Sequence, residues 1–252
     1  MIRISKPLRT YFFIPLILCF LSCGKESQDQ KIKIKLANGD YGIYTGKIQD
    51  GDTIMNGDFF IYNKNGKLKR TGKAVNNSFD GPYKEYHPNG TISSTGYKKR
   101  GKIYGEVTWF RPDGSLDTYH FYDDLGNLNF TGKYNKDNSI KNGHGLILFE
   151  IYQFKLRQKQ EKVIYKIGDT VRYQFMFPNI PNTTRKFEYE LLRYDNSKIS
   201  RKVKKIEPVT LDVAEKAVKK GENTVEARVR YEFKDKTHNI LTDTIRFTFF
   251  VK

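Results

Sequence analysis

The chain has very few cysteines, histidines and tryptophans, and this scarcity limits the chemistry it can carry. Its 252 residues include two cysteines, four histidines and one tryptophan. Cys19 falls inside a predicted N-terminal leader and Cys23 directly after it, so the mature chain has no pair for an internal disulfide. Its stability must therefore come from packing.

The sequence also lacks the short motifs that mark common catalytic and cofactor sites. It contains no Gly-x-Ser-x-Gly elbow, no phosphate-binding Gly-Lys-Ser/Thr loop and no dinucleotide fingerprint. The histidines form no two-histidine helical pair and no cluster with cysteine; they are His87, His120, His144 and His238. Two acids, Glu85 and Asp117, are more typical of cross-strand surface pairs than of acid–base catalysis. We predict no metal, no cofactor and no catalytic residue.

Long apolar runs are scarce, and the run from Tyr11 to Leu21 has the length of a signal-peptide core rather than of a membrane span. Basic residues without acids precede it. The segment Phe20-Leu-Ser-Cys23-Gly24 that ends the run resembles a bacterial lipobox, and the resemblance implies that Cys23 is acylated and becomes the new N-terminus. An uncleaved anchor, or an ordinary signal with an incidental cysteine, is the alternative.

This leader predicts the cellular location of the protein. Residues 1–22 are a predicted lipoprotein signal peptide, and residues 23–30 a flexible tether that is short and polar. Glycine after the acylated cysteine resembles the sorting state for the outer membrane. The sequence thus predicts a lipid-anchored protein of the cell envelope, bound to the membrane through its N-terminal lipid.

Acidic residues are fewer than basic ones: the chain has 28 aspartates and glutamates and 45 lysines and arginines. Loss of the leader leaves 42 basic residues and a formal charge of +14. Such a field attracts anionic partners such as acidic glycans or lipid headgroups, whereas predicted export excludes nucleic acid. Lysines also keep sheet edges from pairing, which is the plainer interpretation. The densest basic run, residues 198–205, is predicted to be a solvated loop or a contact with an anionic membrane surface.

A repeated pattern occupies the region from Tyr41 to Gly145. Glycine, an aromatic ring, a turn and an aliphatic residue recur with a period of 24 in the segments 57–68, 81–92 and 105–116. Each segment predicts a β-hairpin, because its Asn-Gly or Asp-Gly turn tolerates positive φ. A lone hairpin is marginal in water, so the copies must pair side by side in one sheet. We predict a shortened fourth copy at 122–128.

This spacing resembles the MORN repeat variant, a family whose bacterial members are often labelled YwqK-type antitoxins. The resemblance is carried by Gly57, Tyr62, Gly66, Leu68 and Gly72 and by their equivalents 24 and 48 residues later. The third copy departs from the pattern, since a histidine stands at position 120 where a glycine is due. The resemblance implies an interaction module and supplies no catalytic residue.

The remainder of the chain alternates apolar and polar residues with period two, as half-buried antiparallel strands do. About seven such runs in roughly 95 residues fit a β-sandwich. The segments that begin at Gly168 and Gly221 resemble turns of the immunoglobulin-like domains of exported bacterial proteins. Val213–Lys220 is predicted to be a short helix or, as that fold favours, a loop that crosses between sheets. We therefore predict an all-β chain with a hairpin-repeat domain at 31–154 and an immunoglobulin-like sandwich at 155–252.

Rings on the repeat sheet and the cations beside them are the candidate binding site. The ladder Tyr62, Tyr86 and Phe110 is predicted to be core. The predicted binding residues are Tyr83, Trp109, Lys84, Arg111, Lys98, Lys99 and Arg100. Together they predict a non-catalytic binding or scaffolding module that recognises a protein or an anionic glycan or lipid. The alternatives are an envelope enzyme that acts on glycan, and an antitoxin or immunity-like protein that neutralises an exported toxin.

Overall fold

The computed structural model describes residues 29–49, 51–153, 155, 163–207, 209–236 and 238–252. The predicted signal peptide, Cys23, most of the predicted tether and the charged segment 157–162 lie outside these residues. The described residues fold almost entirely into strands, which confirms an all-β protein. None of their helical segments is long and apolar enough to cross a membrane.

The repeat region forms one antiparallel sheet of eleven strands, and neighbours in sequence are neighbours in the sheet. A two-residue strand, β5, pairs with β4, so the path across the sheet runs from β4 to β6. The strands are β1 Gln30–Lys35, β2 Tyr41–Gln49, β3 Asp52–Tyr62, β4 Leu68–Val75, β5 Ser78–Phe79, β6 Gly81–Tyr86, β7 Ile92–Lys99, β8 Lys102–Phe110, β9 Leu116–Tyr122, β10 Leu128–Tyr134 and β11 Ile140–Gly145. The predicted stack of hairpins is thus the observed topology.

The turns at one end of this sheet recur every 24 residues, at 63–67, 87–91, 111–115 and 135–139. In each, the first N–H donates to the carbonyl of the fifth residue. The fourth residue has positive φ; it is Gly66, Gly90, Gly114 or Asn138. The fourth copy in register is therefore Tyr134–Ile140, hidden in the sequence because asparagine, which tolerates left-handed φ, replaces the glycine. The predicted shortened copy at 122–128 does form a hairpin with the same turn hydrogen bonds, but its turn closes the opposite end of the sheet, so it is out of register with the other copies.

Tyr62, Tyr86 and Phe110 stand on one face of the sheet, on every second strand, as a ladder. All three are half-buried. The prediction that they form the core was wrong, because none of them belongs to either buried cluster of the described residues. Tyr134, the fourth rung, is 2% exposed, since the second region of the chain covers it.

On the opposite face, aromatic rings lie over glycines of the neighbouring strand. Tyr83 is paired with Gly96, and a Cβ at Gly96 would lie 2.7 Å from the ring. Phe59 lies over Gly72 in the same way. In the third copy the smaller Val107 replaces the ring and is paired with His120. The glycine is needed where a ring covers it, which explains the departure from the pattern at position 120.

The change Gly96→Ala is expected to lower the free energy of unfolding by about 1–3 kcal/mol, because the added methyl group overpacks the Tyr83 ring. If the ring is the cause, the double variant Tyr83→Val/Gly96→Ala will lose less than the sum of the two single losses. Urea denaturation followed by circular dichroism measures all three variants. If the losses in unfolding free energy are strictly additive, the Tyr83 ring is not the reason that position 96 requires glycine.

The second region is a sandwich of two four-stranded sheets. One sheet has the order β12-β14-β17-β16 and the other β13-β19-β18-β15. Their strands are β12 Phe149–Glu150, β13 Ile164–Tyr165, β14 Thr170–Met176, β15 Thr183–Leu191, β16 Arg201–Glu207, β17 Thr210–Lys216, β18 Gly221–Phe233 and β19 Ile240–Val251. β13 pairs in parallel with β19, and the other pairs are antiparallel. The immunoglobulin-like relationship stays a prediction.

Two sequence predictions in this region were wrong. The first half of 213–220, predicted as a helix or a crossing loop, belongs to β17, which pairs with strands on both sides. The basic run 198–205, predicted as a loop, contains most of β16, an edge strand whose lysines point to solvent. β12 falls inside the predicted repeat domain but pairs with β14 of the sandwich, and the domain boundary at 154/155 stays a prediction.

The sandwich covers the last strands of the repeat sheet. Tyr119, Phe121, Phe130 and Tyr134 belong to the same buried cluster as the sandwich core. Polar contacts fasten the two regions at the edges of this cluster. The Tyr104 hydroxyl lies 2.8 Å from the Thr210 hydroxyl, and the Ile140 N–H donates to the Asp235 carboxylate at 3.0 Å.

Candidate functional site

The repeat sheet has one face that the sandwich covers only in part, and its open portion is the candidate site. Register fixes which residues share this face, because directly paired residues of antiparallel strands point the same way. One such row crosses five strands and consists of Phe60, Thr71, Lys84, Thr95 and Thr108. We call the face that carries this row the groove face.

A groove of about 660 Å³ runs along this row to the edge of the sandwich. Thr71, Thr95 and Thr108 line its floor, and Leu68 and Tyr86 line the side nearest the 24-residue turns. The opposite side and the closed end contain Tyr97, Tyr104, Glu106, Tyr119, Asn179 and Val209. The groove therefore combines aromatic walls with a floor of small hydroxyl side chains.

The closed end of the groove is held rigid by Glu106. Its carboxylate accepts hydrogen bonds from the Tyr119 hydroxyl and from the backbone N–H and side-chain amide of Asn179. Burial, reinforced by this carboxylate, raises the pKa of Tyr119 well above its ordinary value. The phenol therefore stays protonated and donates to Glu106, which also binds Asn179 of the sandwich.

Charged side chains lie along the groove as well. Lys84 stands between Thr71 and Thr95 in the floor row and is exposed, and Lys73 and Asp58 are exposed at the rim. The Lys99 ammonium lies 4.7 Å from the centre of the Tyr104 ring, close enough for a cation–π contact. Cations therefore predominate on the open side.

The structure does not bring the predicted binding residues to one surface. Lys84 and Lys99 are on the groove face, whereas Tyr83, Trp109 and Lys98 are on the opposite face. There Tyr83 covers Gly96, and burial raises its pKa to about 12. The Lys98 ammonium lies 5.9 Å from the Tyr83 ring centre, and Trp109 packs edge-on against His120 at 4.7 Å.

Arg100 and Arg111 lie at opposite ends of the sheet. Arg100 is an exposed turn residue with a φ of 51° whose N–H donates to Asp80. Arg111 joins two copies, since its guanidinium donates to the Tyr134 carbonyl at 2.5 Å and pairs with Asp117 at 2.9 Å. His87, one copy earlier, makes the corresponding contact with the Phe110 carbonyl at 2.9 Å. These side chains tie neighbouring turns together.

Sequence reasoning missed the threonine row. Thr71 and Thr95 recur beside Gly72 and Gly96 in the repeat, but no role was predicted for the threonines. Because alternate residues of a strand face opposite ways, the glycine marks the face under the rings and the threonine marks the groove. That alternation was the available signal.

The acids and histidines considered for chemistry have other surroundings. Glu85 forms an ion pair with Arg70 and accepts a hydrogen bond from Ser94 at 3.0 Å, and Asp117 pairs with Arg111. Among the described residues, no three His, Cys, Asp or Glu side chains come together to hold a metal ion. The absence of catalytic residues, metal and cofactor stays a prediction.

Comparison with known proteins confirms a MORN repeat in one part of the chain. The family described as MORN repeat variant matches residues 79–97, which contain β6, the 87–91 turn and most of β7. No curated protein matches the sequence. The match covers one hairpin, so it identifies the repeat and not the whole chain.

Two solved structures show distant likenesses. A mutant of S. aureus TarM, in complex with Fondaparinux, alpha-GlcNAc-glycerol and UDP, is 14% identical over 46% of this chain, with a TM-score of 0.24. The S-layer protein rSbsC(31-844) is 9% identical over 89% of this chain, with a TM-score of 0.26. The match spans 20% of the first protein and 50% of the second. Neither likeness carries information about function at these scores.

Proposed function

We propose that the protein is a non-catalytic binding or scaffolding module that holds a protein or glycan partner in the groove of its repeat sheet. The observation that carries the proposal is the open groove of about 660 Å³, with aromatic sides and a hydroxyl floor. Grooves lined by rings and a few convergent polar groups are typical binding sites. Each hairpin is hydrogen bonded to its neighbours, so the surface is formed before a partner arrives.

The proposal places this groove in the cell envelope, anchored by a lipid on Cys23 and sorted to the outer membrane. Its support is the leader sequence, because a basic start, an apolar core and a lipobox-like end are found together. Metabolic labelling with palmitate tests the anchor. The native protein should be labelled and sediment with membranes, and Cys23→Ala should lose the label and appear in the soluble fraction at high salt.

Site-specific photo-cross-linking tests the groove. A benzophenone amino acid at Thr95, on the groove floor, should give discrete adducts in intact cells, whereas the same residue at Thr248, on the exposed outer face of the sandwich, should not. Mass spectrometry of the adduct identifies the partner, and an exported toxin there would favour the antitoxin alternative. Equal adducts at both positions, or none at position 95, would contradict the proposed site.

A hydrolytic enzyme of the envelope remains the competing proposal, with its acids on the sheet. It would require turnover of a glycan that is abolished by Glu85→Gln or Asp117→Asn. Both acids already hold arginines in ion pairs, which favours a structural role for them. The binding proposal expects neither change to alter cross-linking at position 95.

A further inference from the structure

A proline-containing loop of the sandwich closes the groove, and one of its proline carbonyls accepts a hydrogen bond from the sheet. Residues 177–182 read Phe-Pro-Asn-Ile-Pro-Asn. The Tyr134 hydroxyl donates to the Pro181 carbonyl at 3.3 Å, and from the sandwich side the Tyr231 hydroxyl donates to the Pro178 carbonyl at 2.5 Å. A segment with prolines offers carbonyl acceptors with fewer N–H donors of its own. The carbonyl groups of such a segment can therefore accept hydrogen bonds from a surface that carries tyrosine hydroxyls.

The repeat places an aromatic ring at the matching position of each earlier copy, and a phenol donor at two of these three positions. Tyr134 is the fourth rung of a ladder whose earlier rungs are Tyr62, Tyr86 and Phe110, each 24 residues apart. Tyr86 lines the groove, and Tyr62 stands two strands further from the sandwich. Both are half-buried, in contrast to Tyr134 beneath the loop. The surface that holds the loop thus continues into the open groove.

The spacing of the ladder specifies the conformation of an occupant. Successive rungs are two strands apart, and strands are about 4.8 Å apart, so the rungs repeat at about 9.6 Å. A polyproline II helix rises about 3.1 Å per residue and repeats every three residues, or about 9.3 Å. A peptide in this conformation that lies across the strands would bring every third residue to successive rungs.

On these grounds we propose that the open groove binds an extended polypeptide segment in polyproline II conformation, with prolines three residues apart. This inference rests on the proposed binding function and names its partner class. Tyr86 in the groove, and Tyr62 beyond its lining on the same face, donate to backbone carbonyls as Tyr134 does within the chain. Leu68 and Phe60 pack against the proline rings. Lys84, exposed in the middle of the floor, favours an acidic residue between the prolines.

An array of synthetic 12-residue peptides tests this specificity with the full-length protein. The peptides carry two prolines separated by one to five residues in a background of alanine, serine and glutamate. Binding should be strongest with two intervening residues and weaken at least tenfold in Tyr86→Ala. Tyr86→Phe, which keeps the ring, should lose about three- to tenfold, and Tyr83→Phe on the opposite face should bind normally. Circular dichroism verifies that each variant is folded.

Several results would overturn the inference. Binding without dependence on proline spacing would remove the polyproline II match, and so would loss in Tyr83→Phe equal to that in Tyr86→Phe. If chitohexaose binds the groove and the peptides do not, the partner is a glycan and the proposed function survives. Concentration-dependent dimers abolished by Tyr86→Ala would identify a second copy as the occupant. Cross-linking at Thr95 distinguishes failure of this inference from failure of the proposed function. If the groove binds a partner of another class, adducts at Thr95 persist; if the groove binds no partner, they are absent.

Discussion

The change Arg201→Met is expected to lower the free energy of unfolding by about 3–5 kcal/mol, the largest loss we expect from a single side chain outside the apolar core. The Glu215 side chain is 1% exposed, and its carboxylate lies 2.7 Å from the Arg201 guanidinium. Arg201 also donates to Asn196 at 2.5 Å and lies over the Tyr189 ring. Without the arginine a buried carboxylate loses its ion-pair partner.

Chemical denaturation followed by far-ultraviolet circular dichroism measures this loss. The matched control is Arg201→Met/Glu215→Leu, which removes both charges and should recover most of the stability, because an apolar pair of similar volume often replaces a buried ion pair at little cost. Trp109, the single tryptophan, lies in the repeat sheet and reports separately on that region by fluorescence. If the unfolding free energy of Arg201→Met lies within about 1 kcal/mol of that of the native protein, the Arg201–Glu215 ion pair is not needed for stability.

The change Gly145→Ala is expected to cost about 3 kcal/mol or more and to loosen the sandwich from the repeat sheet. Gly145 is the last residue of β11, with a φ of 118°, and an added Cβ would lie 2.0 Å from the Asn129 carbonyl oxygen. Neither atom can move without breaking the pairing of Phe130 with Gly145 and the hydrogen bond from the Leu146 N–H to Asn129. The chain leaves the sheet for the sandwich at this point.

Gly114→Ala is the matched control. Gly114 also has positive φ, at 85°, but a Cβ there meets nothing within 4 Å. It isolates the conformational cost of the left-handed region, about 1–2 kcal/mol, from the collision at position 145. Equal unfolding free energies for the two variants would show that the backbone contact is relieved easily. Since the loop at 177–182 moves with the sandwich, Gly145→Ala should also weaken cross-linking at Thr95.

The sequence predicted the hairpins well because their determinants are local. A ring, an Asn-Gly or Asp-Gly turn and an aliphatic residue at fixed spacing are enough to close each turn, and the same period requires the copies to pair in order. The fourth copy escaped notice because Asn138 adopts the backbone conformation of the expected glycine. The local backbone requirement was met by a different residue.

The site was harder to predict, because it depends on which face each side chain occupies and on what covers that face. Tyr83 and Lys84 are adjacent in sequence and point to opposite faces. The predicted binding residues, chosen by their closeness in sequence, therefore came from two different surfaces. β-bulges at Tyr62, Tyr86 and Phe110 shift the register at the end of each hairpin. The position of the sandwich depends on contacts between residues far apart in sequence, such as Tyr104 with Thr210, and periodicity does not encode them.

The 24-residue unit shared by the last four turns of this kind makes the sheet extend in regular steps. Each unit contacts its immediate neighbours and adds two strands, or about 9.6 Å of width. The sandwich is fastened to the last units alone, so inserting or deleting a unit near the first strands would change the length of the recognition surface in fixed steps and leave its closed end untouched. Related chains with different numbers of units would then bind partners of different length through the same types of side chain.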